Sequence, residues 1–483
     1  MRLTADHIDN VRAVRERLAV DKNYDCIERH LSVSEEDVTF FYIDGFVKDA
    51  ELQRVMQQVT SSKDILSAKE LIEKLAYVEV GTVERVDEIV TAVLSGQSAL
   101  MAAAFGSLAI LIDARTYPAR QTTEPDSDRV MQGARDGFVE TLVMNTTLIR
   151  RRIRDPRLRM EHFSVGSSSR TDVVVAYMEG VAEAQLVSGI KKRLCEIKTR
   201  AITLGYQSLS ECLVRRGWLN PFPKIRSTER PDTAAAQIME GSVIVICDTS
   251  PQAMILPTSI FDYLQQTDDY YFPPLTGSYL RVVRTVILLL SLFVTPLWYL
   301  ALENSHLLPD SLAFLVPDEP GALPIMLQLL LVEVAIDGLK IASMNTPDML
   351  SNSLSVIGAL ILGDFAVSVG WVSEDVVLYM AFVALANFAQ QNAELGYAIK
   401  FVRVLTLIAV YFLGVWGLIS GVALFIILVA TNKSVSGKFH YLYPLVPFNA
   451  RAMRRLLFRV KKDDFEDDVS GEISKNANNN SQK

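Results

Sequence analysis

The order of hydrophobic and polar positions changes character near Tyr279. Before it, apolar runs are short and separated by turn residues, after a polar, helix-rich stretch over residues 2–31. Val38–Val47 (VTFFYIDGFV) has the β-branched and aromatic content of a strand, and the polar stretch Asp49–Val59 after it has helical spacing. Ser67, with Glu70 three residues later, forms a capping-box pattern that predicts a helix to Leu75. A helix over Val83–Leu94 precedes two apolar runs, Ala99–Phe105 and Leu108–Ala114, and the Gly106-Ser107 pair between them predicts a hairpin. This first unit ends near Arg120, and the polar stretch Glu124–Gly133 reads as a linker. The second unit offers a helix over Asp136–Arg152, a strand over Thr171–Met178, and helices over Val181–Thr199 and Ser208–Arg216. An apolar pair, Gly241–Cys247 and Ala253–Pro257, brackets the turn Asp248-Thr249-Ser250-Pro251. Two similar α/β units in tandem, residues 1–122 and 123–279, are expected.

Beyond Tyr279, long apolar stretches dominate. Four are apolar enough to span a bilayer core, which takes about 20 residues of helix: 282–302, 354–371, 376–395 and 404–430. The last is uncharged over 27 residues, so it is either one tilted helix or a hairpin turning at Gly414–Gly421. A fifth stretch, 322–344, carries Glu333 and Asp337 one turn apart with Lys340 after them. Such a pair is expensive in lipid, so this helix is expected to be amphipathic at the interface, re-entrant, or facing protein. The expected fold class is α+β with an α-helical membrane half: a cytoplasmic tandem α/β N-terminal domain, a polytopic transmembrane domain over 280–432, and a basic then acidic cytoplasmic tail over 433–483, disordered at its end.

Charge sets the expected orientation. Arg281 and Arg284 flank the first span, the loop after it has acids but no Lys or Arg, and the tail is rich in both, which places both ends in the cytoplasm. Four crossings then leave Lys400 and Arg403 on the opposite side, whereas six crossings require two very short helices. No apolar run opens the chain, so the first span is expected to act as the insertion signal. A net charge of −8 gives no reason to expect nucleic acid as a partner. Cys26, Cys195, Cys212 and Cys247 all precede the break without metal-ligand spacing, as reduced cytoplasmic thiols would.

No catalytic motif stands out. GxxxxGK[ST], GxSxG, HExxH and paired cysteines are all missing from the sequence, and the five histidines are scattered, so neither an enzyme, a metal site nor a cofactor is expected. Val165–Arg170 (VGSSSR) has the composition of a phosphate-gripping loop, although such loops are mostly connectors. Arg150, Arg151 and Arg152 could meet lipid phosphates or an acidic partner, while a solvated helix face paired with acidic neighbours is the simpler reading. Ile357, Ile361, Asp364 and Ser368 share a helical face and are candidate pore-lining residues; small-residue packing around a hydrogen-bonded Asp364 is the alternative.

Three strings, GARDGFVETLVMNTTLIRRRIRDPRL (133–158), STERPDTAAAQIMEGSVIVICDTSP (227–251) and DDYYFPP (268–274), together with the arginine-led first span, resemble the A subunit of bacterial spore germinant receptors, the GerA-type family. A GerB-type member remains open. The resemblance runs from about residue 35 to Pro447. It implies a receptor in the inner membrane of the dormant spore, with its N-terminal domain toward the cytoplasm or spore core. It also implies assembly with a transporter-like B subunit and a C lipoprotein, and homo-oligomerisation into a nutrient-gated cation channel. Positions matching the signature are Arg135, Gly137, Phe138, Glu140, Asn145, Arg150, Arg152, Glu229, Arg230, Pro231, Gly241, Asp269 and Tyr270, none with a catalytic role in the family. The chain departs from the pattern at KIASMNTPDMLSNS (340–353) and AQQNAEL (389–395). A non-conducting scaffold that docks the B and C subunits is the competing reading. No inverted repeat among the spans argues for a transporter.

Overall fold

The computed structural model describes residues 1–33, 36–61, 67–75, 79–117, 128, 130–214, 219–317, 321–346, 358, 366–390, 392–432, 435 and 441–459. The first unit runs α1 (His7–Leu18), β1 (Cys26–Val33), β2 (Glu36–Ile43), α2 (Asp49–Thr60), α3 (Ala68–Lys74), β3 (Val80–Val83), α4 (Val86–Leu94), β4 (Ser98–Ala102) and β5 (Ala109–Ile112). The second runs α5 (Leu142–Arg152), β6 (Leu158–Val165), β7 (Thr171–Met178), α6 (Ala184–Glu196), α7 (Tyr206–Leu213), β8 (Arg226–Thr228), α8 (Pro231–Met239), β9 (Val243–Cys247) and β10 (Ala253–Leu256). Each unit holds one five-stranded antiparallel sheet, in the orders β1-β2-β4-β5-β3 and β6-β7-β9-β10-β8. The two orders are the same with every label advanced by five.

The helices repeat as well. In the first unit α1 and α4 bury Val14, Leu18, Ile89 and Val93 on one face of the sheet, and α2 and α3 bury Val55 and Leu71 on the other. In the second, α5 and α8 take the face of Val174 and Ile246, while α6 and α7 take the face of Val173 and Val245. Both faces of each sheet are therefore covered. That is why β7 and β9 read as continuous apolar runs, since neither set of alternating side chains meets water. Ser67 and Glu70 cap α3 reciprocally, and Leu100 pairs with Ile110 across the hairpin that turns at Gly106, where φ is +58°.

Some boundaries move for identifiable reasons. The helix expected from Asp136 begins at Leu142, because the Asn145 amide clamps the backbone of Val139 at 2.6 and 2.8 Å and Asp248 accepts from the Leu142 amide at 3.0 Å. The arginine cluster is a solvated face only in part: Arg151 is exposed, Arg152 half-buried and Arg150 not solvated at all. Arg150 is fully buried and reaches into the first unit, where its Nε and Nη2 donate to Asp25 at 2.8 and 2.9 Å. Burial opposes the charge, but Asp25 outweighs it and holds Arg150 above the ordinary arginine range. Arg152 pairs with Asp136, and Arg151 stacks over the Tyr117 ring. Burial pushes the Cys247 thiol up to about 12 and Cys26 higher still, so both stay protonated.

After α9 (Asp268–Tyr271), the apolar half contributes α10 (Pro274–Glu303), α11 (Ile325–Met344), one helical turn at Ala366–Ser368, α12 (Glu374–Phe388), α13 (Ala393–Leu413), α14 (Val415–Ala430) and α15 (Ala450–Leu457). Two described helices, α10 and α13, are long and apolar enough to cross a membrane, and α14 is a shorter apolar helix. The stretch 404–430 is not one tilted helix. Gly414 turns it at φ +57°, and Gly417 and Gly421 let α14 lie against Ala409 and Thr406 of α13 with no room for a Cβ. The stretch 376–395 is divided too: α12 stops at Phe388, and Asn392 caps α13 by accepting from the Leu395 amide at 2.8 Å. Most of 354–371 lies outside the described residues. The second α/β unit docks on these helices through Phe222 and Tyr263, which share a buried cluster with Leu292, Ile399 and Val429.

The Asp25–Arg150 pair is the polar lock between the units. Asp25→Ala leaves a buried guanidinium without its carboxylate and is expected to destabilise the α/β half by about 3–5 kcal/mol, whereas the apolar pair Asp25→Leu with Arg150→Met recovers most of the loss. Thermal unfolding followed by the circular dichroism of the sheets checks the order. Equal melting of the wild type and Asp25→Ala would refute the lock.

Candidate functional site

The apolar helices carry charges that lipid alone would not tolerate. Glu333 and Asp337 stand one turn apart on α11, and Lys400 and Arg403 stand on α13. A spacing of three or four residues puts each pair on one helical face, and the structure turns those two faces toward each other. Arg403, 1% exposed, donates through Nη2 to both Glu333 oxygens at 2.7 and 2.8 Å and through Nη1 to the Ser291 carbonyl of α10 at 3.2 Å. Lys400 Nζ lies 2.9 Å from Glu333 and also donates to Asp337. Two carboxylates thus meet two cations, and the four formal charges cancel.

This arrangement resolves what the acidic helix is for. Its carboxylates face protein. It also corrects the placement of Lys400 and Arg403: they are not charges of a loop between two spans but mid-helix residues, and α13 runs through them because Glu333 and Asp337 neutralise them. Beside the cluster is a cavity of about 40 Å³ lined by Asp337, Lys340, Asn387, Tyr397 and Lys400, and Lys340 sits 4.6 Å over the Tyr397 ring. Asp337, with its side chain 36% exposed, is the more accessible carboxylate.

A second buried cluster sits at the foot of α10. Asp269 is 0% exposed and accepts from Arg281 at 3.2 Å and from Arg284 at 3.0 and 3.1 Å. Arg284 also donates to the Leu264 carbonyl at 2.6 Å, and Arg281 stacks over Tyr270. These two arginines, read from the sequence as charges flanking the first span, also tie α9 to α10.

The other signature positions shape the α/β half. Phe138 is in the core, and its amide donates to the Glu229 carbonyl at 2.7 Å. Glu229 accepts from Gln252, while Arg230, fully buried, holds Asp232 and the Ala134 carbonyl behind Pro231, the first residue of α8. The Glu140 carbonyl accepts from Thr249; Arg135 and Gly137 lie in the extended lead-in to α5. The Val165–Arg170 loop is a connector: the amides of Ser167, Ser168 and Ser169 are already bonded to the carbonyls of Thr199 and Arg200. Of the four pore-lining candidates, Ile357, Ile361 and Asp364 lie outside the described residues, and Ser368, exposed, closes the helical turn Ala366–Ser368.

If the cluster is a unit, its charges are interchangeable in sign. Arg403→Gln is expected to cost about 3–5 kcal/mol by leaving Glu333 under-neutralised, and the swap of Glu333→Arg with Arg403→Glu should regain more than half of that. Melting temperature and monodisperse recovery of the full chain in detergent report both. A swap no better than the single variants would mean that the two residues do not interact.

Comparison with known proteins follows this geometry. Residues 13–468 match the family described as Bacillus/Clostridium GerA spore germination protein. The chain is 36% identical to stage V sporulation protein AF of Bacillus subtilis (strain 168), over 94% of this chain and 92% of that protein. It is 27% identical to spore germination protein KA of the same organism, over 91% and 82%, and 26% identical to spore germination protein GerLA of Bacillus cereus, over 81% and 80%. The crystal structure of the N-terminal domain of the A subunit of the Bacillus megaterium spore germinant receptor GerK3 aligns with 53% of this chain and 96% of its own, at 23% identity and a TM-score of 0.40. With a family match spanning nearly its whole length, the chain belongs to the GerA family of spore germination proteins.

Proposed function

We propose that this chain is the membrane subunit of a spore germinant receptor and that copies of it oligomerise into a nutrient-gated cation channel. It sits in the inner membrane of the spore with its α/β half toward the core, beside a transporter-like B subunit and a lipoprotein C subunit. Membership of the family and the two long apolar helices support the setting. The observation that carries the mechanism is the neutralised cluster of Glu333, Asp337, Lys400 and Arg403 between α11 and α13.

In the closed arrangement the carboxylates are occupied by the protein's own cations. A shift of α11 along α13 by part of a turn parts the pairs, and Glu333 and Asp337 then face whatever enters the space between the helices. Carboxylates in an apolar surround draw cations strongly. The energy that keeps the state closed is that of the ion pairs, so a signal has only to offset those contacts. A non-conducting scaffold is the second reading, favoured by the cancellation of the four charges: the cluster then serves only to dock α11 on α13.

The two readings diverge for variants that fold. Lys400→Gln frees Asp337 while leaving Arg403 on Glu333. In a channel it produces a constitutive potassium leak from vesicles or growing cells, and Lys400→Gln with Asp337→Asn suppresses it. If no variant at 333, 337, 364 or 400 alters ion flux in a correctly assembled complex, the channel reading is wrong and the scaffold stands.

A further inference from the structure

The chain beyond α14 returns to the foot of α10 as a strap pinned at both ends. Tyr441, 2% exposed, shares the buried cluster of Phe222, Leu292 and Val429, and its carbonyl accepts from the Ile260 amide at 2.9 Å. At the other end the Arg459 amide donates to the Ser278 hydroxyl of α10 at 2.9 Å, and Arg281 donates to the Leu456 carbonyl at 3.4 Å. Between these points the strap exposes side chains that a folded core would take in: Leu445, Val446, Phe448 and Phe458, with Phe448 69% exposed. Asn449 caps α15 by accepting from the amides of Arg451 and Ala452. On that helix the exposed Arg451 and Arg454 share one face, and Met453, Leu456 and Leu457 share another. Among the described residues neither of these two arginines forms a salt bridge. Apolar and basic side chains presented together suit a segment lying in the surface of an anionic membrane.

The height at which the strap is held is an independent observation. Its contacts on α10 fall at Ser278 and Arg281, just before Val282, where the outward face of that helix turns apolar. Val282, Val286, Leu289 and Leu297 share that face and are all exposed. Ser278 precedes Val282 by four residues, about 6 Å along the axis, the depth of a headgroup layer. Tyr279, exposed at the same level, stands where tyrosines gather at membrane interfaces.

We propose that the segment from Tyr443 to Arg459 lies in the headgroup layer of the membrane that α10 crosses. Leu445, Val446, Phe448 and Phe458 enter the acyl boundary, and Arg451 and Arg454 bind the phosphates of anionic lipids. The acidic run 463–468 matches the arginines in charge, but its one apolar residue, Phe465, is no match for four exposed ones. The position of the bilayer rests on the membrane setting proposed above; the channel is not required. Arg281 serves both Asp269 and the Leu456 carbonyl, so lipid bound to the strap braces the foot of α10.

The test places a nitroxide on the full chain at Phe448→Cys or Leu445→Cys, with the exposed Cys195 and Cys212 changed to serine. The protein is reconstituted in vesicles of phosphatidylcholine, or of phosphatidylcholine and phosphatidylglycerol in equal parts. Relaxation by oxygen, which partitions into lipid, is compared with relaxation by a water-soluble nickel chelate. A label at Leu289→Cys reports the outward face of α10. In the anionic vesicles the labels at 445 and 448 should meet oxygen and be shielded from nickel, as at 289. Arg451→Gln with Arg454→Gln should lower the equilibrium constant for the inserted strap about thirtyfold and return both labels to water. Phosphatidylcholine alone should do the same, and the label at 289 should stay in lipid throughout. Labels at 445 and 448 that meet nickel in anionic vesicles, with 289 in lipid, overturn the strap's role alone and point to a protein cover. A label at 289 that meets nickel overturns the membrane setting as well. Shielding that is equal in both lipids and in the arginine variant overturns the headgroup contact.

Discussion

A charge removed from water needs an opposite charge beside it, and this constraint holds the molecule together at each of its joints. Arg150 on Asp25 joins the two α/β units. Arg281 and Arg284 on Asp269 join the foot of the second unit to the first long apolar helix. Lys400 and Arg403 on Glu333 and Asp337 join α13 to α11. In each case neither partner is tolerable alone, so an element bearing one can settle only where the other is waiting. Apolar contacts supply most of the burial around these joints, but they are not directional, and the ion pairs fix the register.

The duplication in the α/β half gives those joints a direction. Two sheets of identical strand order, each clad on both faces by equivalent helices, follow one another. Their surroundings then differ. The first touches the second through Asn23, Tyr24 and Asp25; the second also packs on α10, α13 and α14 through Phe222, Tyr263 and Leu264. Among the described residues, the route from the first unit to the apolar helices runs through the second. The route is a series of packed, covered sheets rather than a flexible tether, because the contacts at both ends are buried.

What could be read along the chain follows from where each strand lies. The central strands β2, β4, β7 and β9, and β5 and β10 beside the edges, are apolar enough to announce themselves. The strands that escaped the sequence reading, β1, β3, β6 and β8, are the four edges of the two sheets. Edge strands carry charge and polar side chains because one of their sides is open, as in CIERHLSV and LRMEHFSV, and that protects them from stray pairing while hiding them from pattern reading. The capped helix at Ser67 and the hairpin at Gly106 were visible because the residues that make them are three or fewer positions apart. The carboxylates of the candidate site were visible too, as an anomaly that called for a partner.

The partners were not visible. Lys400 and Arg403 looked like the end of one span and the start of another, since hydropathy along a window counts every charge as if it faced lipid unpaired. The sequence by itself settled the properties that depend on neighbours in the chain: the turn from polar to apolar near Tyr279, the central strands, the caps and turns, and the presence of acids in an apolar helix. Tertiary structure alone decided which cation meets which carboxylate, across 12 to 125 residues. With that it decided that Arg150 is buried rather than solvated, and that α13 runs unbroken through two positive charges. Neutralisation is a property of two distant positions at once, and the burden of a buried charge on one helix is met only by the helix that folds against it.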